Sequence, residues 1–182
     1  QEIRWIPTEG GPASYVIGTK NRGPNRRMAR PQFDASGERI YFVENADGSG
    51  PTPPKSVLVS VKPDGTDKRT HLRFTRAEEA AVSPDGRWVV FNEQYNAWVT
   101  ALPPLGAQTV DIDLDNAALP LAQLTDEGGE WVNWADGGKT ITWEGLSCNH
   151  HGQGLASAKG QLQDKAFGIT FQVPVAVVLL VR

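Results

Sequence analysis

The stretch Ala81-Val-Ser-Pro-Asp-Gly-Arg-Trp-Val-Val-Phe91 decides the fold, because its plan occurs twice more in the chain. The copies are Pro31-Gln-Phe-Asp-Ala-Ser-Gly-Glu-Arg-Ile-Tyr-Phe42 and Asn133-Trp-Ala-Asp-Gly-Gly-Lys-Thr-Ile-Thr-Trp143. Each runs from apolar or aromatic positions through a turn ending in Gly to an alternating strand. The aligned glycines, Gly37, Gly86 and Gly138, stand 49 and 52 residues apart, a period that signals a repeat architecture. Asp85-Gly86 and Asp136-Gly137-Gly138 supply residues tolerant of positive φ, as tight turns between antiparallel strands require. After each turn the side chains alternate: Ile40 and Phe42 oppose Tyr41, Val89 and Phe91 oppose Val90, Ile141 and Trp143 oppose Thr142. Phe42, Phe91 and Trp143 end the three strands with the large packing unit that stacked sheets need.

A second unit lies between these. Ile3-Arg-Trp-Ile-Pro-Thr-Glu-Gly-Gly11 is similar to Val57-Leu-Val-Ser-Val-Lys-Pro-Asp-Gly65 and, more weakly, to Ala97-Trp-Val-Thr-Ala-Leu-Pro-Pro-Leu-Gly106. Each reads as a short strand and a hairpin turn containing Pro and Gly. Another short strand follows, ending at Phe74-Thr75 in one copy and Leu124-Thr125 in another. Four antiparallel strands in a unit of roughly 40–50 residues make a propeller blade. Helical periodicity is absent, and Arg76 to Ala81 is too short before Val82-Ser83-Pro84 to be a helix. The expected fold is therefore all-β, a partial β-propeller of about three to four four-stranded antiparallel blades.

The expected layout places the outer strands of an incomplete blade at 1–19 and blades at 29–75, 79–125 and 130–173, with a tail at 174–182. A loop at 103–120 is inserted in the second full blade and is expected to extend or decorate it. So few blades cannot close a ring by themselves. The competing architecture is a β-sandwich with turns at similar intervals.

Residues 81–93, ending Phe-Asn-Glu93, resemble the signature segment of TolB-like propeller repeats. Such repeats occur in TolB, in prolyl oligopeptidase and dipeptidyl peptidase propellers, and in tricorn protease. The stretch from Thr125 through Trp143 is similar to the last blade of bacterial metal-dependent amidohydrolases, which carry a propeller before the catalytic barrel. In them a stretch like Phe171-Gln-Val-Pro174 leads into a small β-domain. Here the Gly-rich lead is replaced by Ala176-Val-Val-Leu-Leu-Val-Arg182, and a truncated or disrupted reading frame is one expectation. The metal ligands of that family sit in the barrel, which begins with a His-x-His pair. This sequence has no such pair, so the resemblance transfers no catalytic residue.

The totals fit one ordinary globular domain or part of a larger one. The chain has 182 residues, 39% of them hydrophobic and 21% charged, enough to bury a core. A net charge of −3 removes any general electrostatic reason to expect nucleic acid. The basic run from Lys20 to Arg30, with Arg22, Arg26 and Arg27, reads as a solvated loop rather than an anion patch. Cys148 is the only cysteine, so no intrachain disulfide forms. The most apolar stretch, Val173 to Val181, is too short for a bilayer and contains Pro174, so membrane insertion is not expected. The chain opens at Gln1 without a basic-then-apolar leader, and any secretory signal is expected to have been removed or never present.

Cys148-Asn-His150-His151 has metal-capable types, but adjacent histidines on an extended chain point to opposite sides. No second cluster completes a four-ligand site, and a polar surface loop is expected there. Asp111, Asp113 and Asp115 alternate and are expected to share one face of an edge strand, where charge discourages unwanted pairing. They fail the calcium-loop template, with Ala117 rather than Gly at the turn position and no closing Glu. Ser147, in Gly-Leu-Ser-Cys-Asn, lacks the second Gly of a nucleophile elbow. Gly48-Ser-Gly50-Pro-Thr-Pro-Pro is a loop between strands, not a phosphate cradle. The six tryptophans fall mostly at repeat-equivalent strand positions and are expected to pack. The sequence thus assigns no catalytic residue, no metal ligand and no cofactor.

Three functions are compatible with this reading. The first is a non-catalytic propeller segment of a larger hydrolase resembling the amidohydrolases, acting in substrate access or subunit interaction. The second is a stand-alone TolB-like module that binds protein or peptide, and the third a propeller fragment of a serine peptidase. The resemblance implies a periplasmic or secreted location. Exposed blade faces seek partners, so self-association or docking onto a missing catalytic domain is expected.

Overall fold

The computed structural model describes residues 2–19, 30–46, 56–126, 128–138, 140–144, 161–164 and 169–172. They form β-sheets joined by turns, with a single short 3-10 turn at Asp136–Gly138. The first sheet is the hairpin β1 (Glu2–Trp5) and β2 (Ser14–Gly18). The second contains β3 (Gln32–Phe33), β4 (Ile40–Asn45), β5 (Ser56–Val61) and β6 (Arg69–Phe74), paired antiparallel in chain order. The third begins β7 (Ala80–Val82), β8 (Trp88–Glu93), β9 (Asn96–Ala101). The chain then makes β10 (Val110–Asp111) before β11 (Leu121–Gln123) closes the third sheet against β9. The fourth sheet is the hairpin β12 (Glu130–Ala135) and β13 (Thr140–Glu144); β14 (Gln161–Asp164) and β15 (Ile169–Gln172) make a fifth. No pairing joins β13 to β14 among the described residues, so the segment expected as one four-stranded unit is seen as two hairpins.

The three glycines of the repeat occupy equivalent corners. Gly37, Gly86 and Gly138 have φ of 73°, 69° and 89° and lie in the turns of the β3–β4, β7–β8 and β12–β13 hairpins. In the first two corners the bonding is the same. The Gly37 N–H donates to Asp34 O (3.1 Å) and the Gly86 N–H to Ser83 O (2.8 Å); the Asp34 N–H meets Arg39 O and the Ser83 N–H meets Trp88 O. A side chain seals each turn: Asp34 Oδ1 accepts the Glu38 and Arg39 N–H groups, and Ser83 Oγ accepts the Trp88 N–H.

Period-two alternation then sorts side chains between two cores per sheet. Ile40, Phe42, Val57, Val59 and Val61 of the second sheet pack on Ile3 and Val16 of the first. On its opposite face Tyr41, Val43, Leu58 and Leu72 meet Ala80, Val82, Val89 and Phe91 of the third sheet. The third sheet's other face, with Ala81, Val90, Ala97 and Val99, meets Val132 and Ile141 of the fourth. The first four sheets are thus stacked in chain order, and the second and third are buried on both faces. Phe42, Phe91 and Trp143 each point to the preceding sheet.

The insert at 103–120 departs from expectation. It extends the second sheet, not its own: β10 lies parallel to β6, with Val110 opposite Leu72 and Asp111 opposite Arg73. Ile112, Leu114 and Leu119 add to the core between the two sheets. The insert therefore clasps the third sheet to the second through backbone pairing and apolar burial together. The Asp series does not share a strand face. Asp111 alone lies in β10, because Asp113 accepts the Asp115 N–H at 3.0 Å and closes a local turn, the side-chain-to-backbone bond that competes with a ladder.

Candidate functional site

Seven residues before each corner glycine stand Arg30, Glu79 and Trp131, and the stacking brings them together. Glu79 is 2% exposed. Its carboxylate accepts from Arg30 Nη1 at 2.8 Å, from the Val132 N–H at 3.3 Å and from the Trp131 N–H. A buried carboxylate needs such donors, because desolvation otherwise disfavours its charge. Arg30 Nη1 also donates to Val132 O at 3.3 Å, and the guanidinium lies over the Trp131 ring, 4.7 Å from its centroid, in cation–π range. The ladder ties segments 49 and 102 residues apart.

Two further bonds join the first strands of successive sheets: Gln32 Nε2 to Val82 O and Trp134 Nε1 to Ala81 O, both 2.9 Å. Unpaired groups at a sheet edge invite foreign strands, and here neighbouring sheets occupy two of the β7 carbonyls.

The β8–β9 hairpin ends on the same edge. Gln94 and Tyr95 are its two turn residues, at φ 52° and 68°, positions usually held by Asn and Gly. Tyr95 is 85% exposed. The 125–130 connection is pinned over this turn. Thr125 Oγ1 accepts the Ala97 N–H at 2.9 Å and bonds Asn96 Oδ1, which accepts the Gly128 N–H; the Gly129 N–H donates to Tyr95 O at 2.7 Å. A Cβ on Gly129 would stand 2.7 Å from Ala97 atoms, so only glycine lets the connection lie this close. Trp131 follows at φ 55°, 45% exposed, where the β12–β13 register slips. Glu93, also at this edge, is buried. Its Oε1 accepts the Arg76 N–H at 2.9 Å, while Oε2 has no partner among the described residues. Burial raises its carboxyl above the ordinary value, and the Asp113 charge adds to the rise.

A second polar cluster lies toward the opposite edge. Arg39 Nε and His71 Nε2 both meet Ser60 Oγ, at 2.9 and 2.7 Å; Arg39 and Arg69 bond the Asp67 carboxylate at 2.8 Å each. Hydrogen bonds from Arg69 and Arg39 hold Asp67 down to about 2. Burial, with the charges of Arg39 and Arg69, holds His71 down to about 4. The Ser60–His71 pair has the separation of a nucleophile and its base. Ser60 is fully buried, however, and with Arg39 already donating to the hydroxyl this is a structural bond.

Of the sequence candidates, Cys148, His150, His151, Ser147, Lys20 to Arg27 and Gly48 to Pro54 lie outside the described residues. Asp111 pairs with Arg73 at 3.0 Å, and Asp113 and Asp115 are exposed. Five tryptophans pack against the three cores; Trp131 does not. Arg30 belongs to the run that reads as a solvated loop, yet the structure makes it an anchor, and the sequence signal for it is its register: a cation, an anion and an aromatic at one repeat position. Among the described residues no three His, Cys, Asp or Glu side chains group to hold a metal ion, and no helix is long and apolar enough to cross a membrane. Compared with protein-family models, curated proteins and solved structures, the chain matches none.

Proposed function

We propose that the chain is a non-catalytic β-propeller segment whose sheets are blades, serving a larger hydrolase that resembles the amidohydrolases in substrate access or subunit interaction. The observation that carries the reading is the joining of first strands: β3 to β7 through Gln32, β7 to β12 through Trp134, with Arg30, Glu79 and Trp131 bonded above them. Blades around an axis require first strands that meet, and sheets buried on both faces. A two-layer sandwich buries one face of each sheet, so the double burial of the second and third sheets favours the propeller. The kind of hydrolase rests on the motif resemblance alone, and the periplasmic or secreted location follows from it.

The reading frame beyond Arg182 tests the parent. A barrel sequence opening with His-x-His supports the hydrolase; further blades and a stop turn the reading to a stand-alone TolB-like binding module. That second reading draws on the rigid, aromatic edge formed by Tyr95 and Trp131. In either case the purified 182 residues are expected to hydrolyse no amide or ester substrate, with or without added zinc, and metal-dependent turnover would overturn the assignment.

A further inference from the structure

Three acids are buried among the described residues: Glu44, Glu79 and Glu93. Glu44 pairs with Lys68 and Glu79 with Arg30; Glu93 pairs with no cation among the described residues. It is 3% exposed and shares a face of β8 with Val89 and Phe91, at the end of the core between the second and third sheets nearest the β8–β9 turn. One carboxyl oxygen accepts the Arg76 N–H at 2.9 Å, and the other, Oε2, is buried with no partner among the described residues. An anion with a bare, dry oxygen costs far more there than the neutral acid does.

The insert at 103–120 closes over the same place. The Ile112 N–H donates to Arg73 O at 2.8 Å, so Asp113 follows beside the connection between β6 and β7, whose Arg76 N–H holds Glu93. Ile112 and Leu114, on either side of Asp113, both pack into the core that Glu93 borders. The charged groups that bear on Glu93 are Asp113 of the insert and Arg76 of the connection. Its strand neighbours β7 and β9 carry no titratable side chain, and β6 turns Leu72 and Phe74 toward this core while its Arg73 is bonded to Asp111. Burial lifts the Glu93 carboxyl above the ordinary 4.5, the Arg76 N–H opposes the rise, and the Asp113 charge adds to it.

We propose that Glu93 and Asp113 make a proton-operated latch on the insert: the segment lies closed while the Glu93 carboxyl is neutral, and lifts from the core when that carboxyl ionises and must be hydrated. The insert yields rather than the connection, because Asn92 Oδ1 accepts the Glu78 and Glu79 N–H groups at 3.1 Å each and Glu79 is itself anchored to Arg30. By contrast β10 has two ladder residues, and its Asp111–Arg73 pair faces solvent, where such a pair contributes little. The closed insert holds the proton more tightly than the lifted one. Closure is therefore complete below the ordinary value of 4.5 and weakens as pH rises from there through the raised value of the closed form. Lifting uncovers Ile112, Leu114 and the β6 edge, so the latch sets when that edge is open to another strand.

Hydrogen exchange of the whole 182-residue chain, read by mass spectrometry and normalised to the unstructured rate at each pH, tests the latch. Protection of a peptide covering 109–115 is expected to fall about tenfold between pH 5 and pH 8 relative to a peptide covering β9. His71, held down to about 4, weakens the fold as pH falls, so it cannot produce a loss on raising pH. Glu93→Gln keeps the size of the neutral acid and cannot ionise; its insert is expected to stay protected throughout. Asp113→Asn, at an exposed site that leaves the core intact, is expected to retain a smaller fall than the parent. Protection of the parent insert that is flat with pH, an equal fall in Glu93→Gln, or an undiminished fall in Asp113→Asn overturns the proposal.

Discussion

Burial sets the protonation state of His71. Its Nε2 meets Ser60 Oγ, which also accepts from Arg39 Nε, and a hydroxyl with one hydrogen and two lone pairs serves either imidazole tautomer there. Burial first, then the charges of Arg39 and Arg69, hold the imidazole down to about 4, so it is neutral at pH 7. The unfolded chain takes up the proton near 6.5, the folded chain only near 4. Between those values the unfolded state binds more protons, so stability falls as pH falls through that window, by at most roughly 3 kcal/mol. His71→Gln keeps a hydrogen-bonding partner for Ser60 but cannot titrate. Urea unfolding at pH 7 and pH 4.5 is expected to show a smaller loss in the variant than in the parent; equal losses would refute the assignment. None of this cluster was legible in the sequence. Arg39, Ser60 and His71 lie on three different strands or turns, and neither their spacing nor their types mark them. The Arg30–Glu79–Trp131 ladder was legible in principle, because residues at one repeat position in stacked sheets become neighbours.

At the scale of strands, alternation and turn chemistry carried most of the fold. Side chains on β4, β8 and β13 fall on the faces their period-two pattern predicts, since a one-residue slip would expose the whole apolar set. The β10 pairing was not legible: two residues make no period, and their partner strand belongs to the preceding sheet. The alternating aspartates suggested a strand because sequence spacing cannot reveal that Asp113 bonds its own loop. The hairpin turns also hold sheets together. Gly65, in the β5–β6 turn, faces the first sheet so closely that an added Cβ would stand 2.1 Å from Val16 O. Gly65→Ala must then move β2 off the second sheet as well as strain a φ of 82°. Gly37 has a similar φ of 73° with open space about it. The expected costs are roughly 3 kcal/mol for Gly65→Ala and about 1 kcal/mol for Gly37→Ala. Urea unfolding of the pair separates close approach from φ strain; equal costs would mean that the sheets do not meet at Gly65.

At the scale of the whole molecule, the first and fourth sheets each turn one face away from the three described cores. On the first sheet Arg4 and Tyr15 are paired across the strands, away from the Ile3 and Val16 core, with the guanidinium 5.9 Å from the ring centroid. On the fourth sheet Asn133 and Thr142 are paired on the face away from Val132 and Ile141. These faces mix aromatic, polar and charged groups, whereas each face between sheets is built around one of the three apolar cores. A second copy stacking there would bury one ring and few aliphatic groups, so the driving force is small beside the cost of association. The expected behaviour is therefore weak, reversible self-association: a 19.8 kDa particle in dilute solution, and a mass that rises with concentration. Multi-angle light scattering over a hundredfold concentration range reads this directly. Tyr15→Lys with Thr142→Lys places like charge on both outward faces without touching the three cores, and is expected to hold the chain monomeric throughout. A parent that is monomeric at the highest concentration, or a variant that associates as well as the parent, removes these faces as the sites of contact.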